Sequence, residues 1–121
     1  MAQILVIDDD PAIAELLYSV LVEGGHDPEA ATTLDGFESD SYELVISDLL
    51  NNRDAYQADA ASAWVAEIRL RIPGVPVVVC TAHRRAASDV EVIGADAVIT
   101  KPFDVDEFLA LVDRLTGRPA S

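Results

Sequence analysis

Basic residues, cysteine and long apolar runs are all scarce in this chain, and each scarcity removes a class of function. Only 8 bases stand against 22 acids, and the formal net charge is −14. Such a chain repels phosphate backbones, so direct binding of DNA or RNA is disfavoured. The imbalance is uneven: residues 1–60 carry 14 acids and one base, Arg53, whereas residues 61–121 carry 8 acids and 7 bases. Lysine is rarer still, because Lys101 is the only one. A single cysteine, Cys80, excludes an internal disulfide and sits inside an apolar run. No apolar stretch approaches the roughly 20 residues of a membrane span, and the start MAQILVIDDD has no basic segment ahead of an apolar one. These features point to a cytoplasmic location with no membrane partner.

What the chain does contain is enough for one folded domain. It has 121 residues, and half of them are hydrophobic. There is no internal repeat, and the domain is expected over 1–117, with 118–121 a tail or the start of a linker. Short apolar runs alternate with longer amphipathic segments. QILVID (3–8) reads as a buried strand, followed by a helix opened by Asp10-Pro11 and closed by Gly24-Gly25. Ile13, Leu16, Leu17, Val20 and Leu21 mark its apolar face. A weak strand covers Asp27 to Ala31, and the segment up to Tyr42 has room for about two helical turns. ELVISD (43–48) is a strand, and LNNRDAYQAD a polar loop. Ala61, Val65, Ile68 and Ile72 predict a helix stopping before Pro73-Gly74. VPVVVCT (75–81) is the fourth strand, Arg84 to Ile93 a short helix, and AVIT (97–100) the fifth strand. The last helix opens at Asp104-x-x-Glu107, a capping-box pattern, and runs to Gly117. Strands that are apolar throughout, alternating with helices, predict a parallel sheet covered on both faces. Function in such sheets collects at the carboxyl ends of the strands.

Those ends carry chemistry. Asp8, Asp9 and Asp10 follow the first strand, Asp48 the third, Thr81 the fourth and Lys101 the fifth. A carboxylate at a strand end loses hydration, and several together repel one another unless a cation joins them. Mg2+ suits an all-oxygen site of this kind. Asp48 can then act as a carboxylate nucleophile toward a phosphoryl group, whose charge the metal and Lys101 neutralise while Thr81 bonds an oxygen.

Four stretches, ILVIDDDP, LVISDLL, VPVVVCTA and ITKPF, carry a resemblance to the response-regulator receiver domain of two-component signalling, over essentially the full length. The resemblance implies a flavodoxin-like doubly wound (βα)5 fold with a five-stranded parallel sheet in the order 2-1-3-4-5. It implies that Asp8 and Asp9 hold Mg2+, that Asp48 is both phosphoacceptor and ligand, and that the Leu50 carbonyl is a further ligand. Thr81 becomes the switch hydroxyl and Lys101 the phosphate-contacting base. The implied role is that of a phosphorylation switch rather than an enzyme. The implied donor is a histidine kinase or a histidine phosphotransfer protein, and a downstream output protein of unknown identity is implied too, with room for a homodimer formed on phosphorylation.

The chain also departs from that family. After Asp48 it reads DLLNNRDAYQADAASAW, without the usual Met-Pro and Asp-Gly, and this loop is about five residues longer than usual. The preceding helix, between Gly36 and Asp48, is about six residues shorter, close to two turns. The loop is expected to pack into the space so left. Val98 replaces the aromatic ring that normally moves with the threonine, and Tyr56 is a candidate substitute. Leu50 and His83 flank the route of an attacking water. Ala14, Tyr18 and Val22 form either a docking strip or an extension of the core face. Trp64 reads as a helix-packing residue, and Arg84 with Arg85 as a surface pair. Two other readings remain: a degenerate receiver serving as an interaction platform, and a haloacid-dehalogenase-like phosphatase. The phosphatase would use Asp8 as nucleophile and Asp10 as acid/base, and it needs another acidic pair on a later strand.

Overall fold

The computed structural model describes residues 3–31, 42–49 and 57–117. In chain order these form β1 (Gln3–Ile7), α1 (Pro11–Glu23), β2 (Asp27–Ala31), β3 (Leu44–Ser47), α2 (Ala58–Arg71), β4 (Val77–Thr81), α3 (Arg85–Ser88), α4 (Val90–Ile93), β5 (Ala97–Thr100) and α5 (Val105–Leu115). The five strands are all parallel, in the order β2-β1-β3-β4-β5. The expected doubly wound sheet is therefore the observed one. The short helix expected between β2 and β3, the long-loop residues Leu50 and Tyr56, and the tail at 118–121 lie outside the described residues.

Alternating side chains of the central strands fill two cores, which is why their sequences are apolar at nearly every position. Leu5, Ile7, Val45, Val77 and Val79 face Ala61, Val65 and Ile68 of α2 together with Ala86 and Ile93. Ile4, Val6, Leu44, Ile46, Val78 and Cys80 face Leu17, Val20 and Leu21 of α1 and Phe108 and Val112 of α5. Phe108, a large buried side chain, is tilted against Phe103 with ring centroids 5.0 Å apart. Such area-rich packing is the main stabilising contribution to a domain of this size.

Element ends follow local chemistry. The Asp10 side chain accepts from the Ala12 N–H at 3.0 Å and caps α1, with Pro11 in its first turn. Asp104 does the same for α5, accepting from the Glu107 N–H at 3.0 Å. β4 begins at Val77 instead of Val75, because Pro76 has no N–H to give to the ladder, although its carbonyl still accepts from Val45 at 3.0 Å. β2 is an edge strand, and Pro28 sits there without loss because its side away from β1 needs no donor.

Two further expectations are corrected. The helix predicted from Arg84 to Ile93 is two single turns meeting at Asp89, whose backbone leaves the helical region (φ −103°, ψ 18°). Ser88-Asp89 is a poor helix interior, since both side chains compete for backbone groups. Leu16, placed on the core face of α1, is 49% exposed. Of the strip at Ala14, Tyr18 and Val22, only Ala14 is buried.

Sequence reading also missed a tie between the two ends of the second core. His26 Nε2 and Asp113 Oδ1 lie 2.9 Å apart, joining the turn before β2 to α5, with the His26 side chain fully buried. Beside it Gly24 allows a close approach: a Cβ there would meet Leu109 Cδ2 at 2.7 Å. No helix among the described residues is long and apolar enough to cross a membrane.

Candidate functional site

The parallel sheet brings the carboxyl ends of β1, β3, β4 and β5 to one edge, where a cleft of about 340 Å3 opens. Asp8, Asp9, Asp48, Thr81 and Lys101 all line it, with Asp10, Ile13, Leu49, Ala82 and His83. Main-chain bonds fix the rim. The Asp48 N–H donates to the Ile7 carbonyl at 2.8 Å, and the Lys101 N–H donates to the Thr81 carbonyl at 2.8 Å. Each strand end is thus held by its neighbour, and the side chains that follow are held with it.

Asp8 is the deepest acid among the described residues, 1% exposed. Its Oδ1 accepts from the Asp10 N–H at 2.9 Å, and its Oδ2 from Lys101 Nζ at 2.9 Å. Lys101 Nζ also lies 3.7 Å from Asp48 Oδ1. Burial raises the pKa of Asp48; the charges of Asp8 and Asp9 raise it further, and Lys101 and the Leu49 N–H only partly offset this. For Lys101, burial works against the charge, but the hydrogen bond to Asp8 and the charges of Asp48 and Asp8 outweigh it and raise its pKa. The site is therefore rich in negative charge that one ammonium does not balance.

One oxygen each from Asp8, Asp9 and Asp48 can be chosen so that all lie within 4.8 Å of one another. Three hard oxygen donors on one open cleft fit a divalent ion that keeps waters in its other positions, as Mg2+ does. The fourth expected ligand, the Leu50 carbonyl, lies outside the described residues. Asp10 does not join the cluster, because its carboxylate caps α1. That geometry speaks against the phosphatase reading, which needs Asp10 as acid/base. Its further acids fail as well: Asp106 and Glu107 lie in the first turn of α5, with Asp104 as its cap.

Thr81 is fully buried, and its Oγ1 accepts from the His83 N–H at 3.2 Å. Arg84 and Arg85 are exposed and do not line the cleft. Val98 pairs with Val79 across the β4–β5 ladder and packs against the α2-side core. Behind Asp48, Ser47 is fully buried, donates from Oγ to the Asp48 carbonyl at 2.7 Å, and accepts from Trp64 Nε1 at 2.8 Å. Sequence reading passed over Ser47. The available signal was a hydroxyl inside an otherwise apolar strand, which must find partners once buried.

Residues 4–113 match the response regulator receiver domain family. Among curated proteins, the chain is 34% identical to the DNA-binding dual master transcriptional regulator RpaA of Synechocystis sp., over 98% of this chain and 50% of that protein. It is 32% identical to the response regulator protein FleR of Pseudomonas aeruginosa, over 93% of this chain and 24% of that protein. The chain thus spans half or less of these relatives. Among solved structures, it is similar to the response regulator TrrA from Thermotoga maritima in complex with Mg2+-BeF, with a TM-score of 0.73 and 32% identity, covering 95% of this chain and 99% of that one. The strand order, the acids gathered at the strand ends and these likenesses agree, and the chain belongs to the response regulator receiver domain family.

Proposed function

We propose that this domain accepts a phosphoryl group on Asp48 and works as a phosphorylation switch in two-component signalling. The observation that carries the reading is the Asp48 carboxylate in an open cleft, with Lys101 Nζ 3.7 Å away and Asp8 and Asp9 beside it. The residues divide the work. An Asp48 oxygen attacks phosphorus while the P–N bond of a phosphohistidine breaks, and the departing imidazole nitrogen keeps the electron pair. Lys101, already drawn between Asp8 and Asp48, is positioned to follow the phosphoryl oxygens with its charge. The Thr81 hydroxyl can exchange its bond from the His83 amide for one to a phosphoryl oxygen. Asp8, Asp9 and Asp48, with the Leu50 carbonyl, would hold Mg2+, which supplies positive charge for the transferred oxygens and relief for the crowded carboxylates.

The donor class is a histidine kinase or histidine phosphotransfer protein, and the setting is cytoplasmic. Acidity disfavours nucleic acid as a direct ligand of this domain, so its output passes through other protein surface, whether a partner, a second copy or a further part of a longer chain. Intact masses after incubation with Mg2+ and acetyl phosphate, beside an Asp48→Asn control, test the reading. One added phosphoryl group, absent from the control, is the expected result. No adduct in the native chain overturns the switch and leaves the interaction platform, the reading that Val98 in place of the usual ring favours.

A further inference from the structure

We infer that Trp64 is a positioning residue for Asp48, acting through Ser47, an inference that rests on the phosphoacceptor reading above. The bonds form one directed chain. Trp64 Nε1–H donates to Ser47 Oγ at 2.8 Å, and Ser47 Oγ–H donates to the Asp48 carbonyl at 2.7 Å. That carbonyl belongs to the 48–49 peptide, which leaves the same Cα as the Asp48 side chain. Both donors point the same way, from the α2 helix toward the backbone of Asp48.

Directed chains of this kind reinforce themselves. A hydrogen bond onto a carbonyl polarises the peptide and makes its N–H a stronger donor. Here the polarised peptide is the one that follows the acceptor residue. The chain also holds the plane of the 48–49 peptide, and with it the side chain that leaves from Asp48. Ser47 is fully buried, so water cannot substitute for either of its partners. Packing alone does not require the arrangement: the indole is only partly buried against the core, and a phenyl ring would fill much of the same space without the N–H.

The arrangement has a second consequence. Trp64 lies in the middle of α2, the helix that follows the segment after the acceptor, and it is the only tryptophan in the chain. A change in the Asp48 peptide is transmitted by two hydrogen bonds to that helix, and the same bonds make the indole a reporter of the site.

The test is a double-mutant cycle with Trp64→Phe, Ser47→Ala and the double variant, each first checked for native far-UV circular dichroism. Phosphorylation by acetyl phosphate with Mg2+ is followed by intact mass. Each single substitution is expected to slow the native rate by about 3- to 10-fold, the range that one buried neutral hydrogen bond supports. The double variant is expected to be no slower than Ser47→Ala, because both changes break one chain. In addition, beryllofluoride with Mg2+ should shift the tryptophan emission of the native chain and leave that of Ser47→Ala unmoved. A Trp64→Phe rate equal to native, or independent losses that multiply in the double variant, overturns the inference while the native adduct still supports the receiver reading. No adduct in the native chain overturns both.

Discussion

Replacing Asp48 by asparagine should make the metal-free protein more stable, and the size of the gain follows from the site. Oxygens of Asp8, Asp9 and Asp48 lie within 4.8 Å of one another. At an effective dielectric of about 20, each such pair of full charges repels by about 3.5 kcal/mol. Attraction between Lys101 and Asp48 at 3.7 Å returns about 4.5 kcal/mol on the same basis. Two repulsions against one attraction leave a net penalty of about 2–3 kcal/mol on the Asp48 charge, to which burial adds. The Asp48 side chain is 21% exposed, so solvent screens part of this. A gain of about 1–2 kcal/mol for Asp48→Asn is the resulting expectation. Urea unfolding at pH 7 in EDTA, followed by circular dichroism, measures it. The sign with pH is determined too. A carboxyl whose pKa is raised in the fold contributes stability that is present below its ordinary value of 3.8 and lost as pH rises through the raised value. The advantage of Asp48→Asn should therefore be small near pH 4, open as Asp48 ionises, and be complete at neutrality. Adding Mg2+ should close the gap, because binding stabilises the native cluster more than the depleted one. An asparagine variant no more stable than the native chain in EDTA would refute the claim that these carboxylates crowd one another.

Two further outcomes follow from the same geometry. Lys101→Met should cost about 3–5 kcal/mol at pH 7 without metal, because it leaves the buried Asp8 carboxylate without its cation. The native contribution should fade as pH rises above 10.5 through the raised pKa of Lys101, and an unchanged urea midpoint would sink this account. Cys80 is buried and its thiol is pushed up to about 12, so iodoacetamide at pH 8 should label it only as fast as the chain unfolds. Rapid labelling of the folded protein would show that β4 is not sealed between the two cores.

β1, β3 and β4 were legible because a strand buried on both faces must be apolar at nearly every position, and β5, a half-buried edge strand, was legible as the short apolar run AVIT. Asp10 and Asp104 announced helix starts through their own backbone chemistry, whereas Pro76, read inside the fourth strand, delays its start to Val77. The acids and Lys101 at the strand ends were legible for a topological reason: parallel strands put all their carboxyl ends on one edge. Where one face of an element decides, the pattern was weaker. Leu16 sits at core spacing yet points to solvent, and the Arg84–Ile93 helix divides at Asp89 because local competition there outweighs the apolar period.

The individual pairings between distant residues were not legible, even where the shared edge was. Lys101 meets Asp8 across 93 positions, His26 meets Asp113 across 87, and Trp64 reaches Ser47 across 17. Residue type and spacing determine which elements form and which edge carries the chemistry, since those depend on local propensity and on burial of alternate faces. Which donor meets which acceptor depends on how α2 and α5 settle on the sheet to within an ångström, and only the packing of the whole domain decides that.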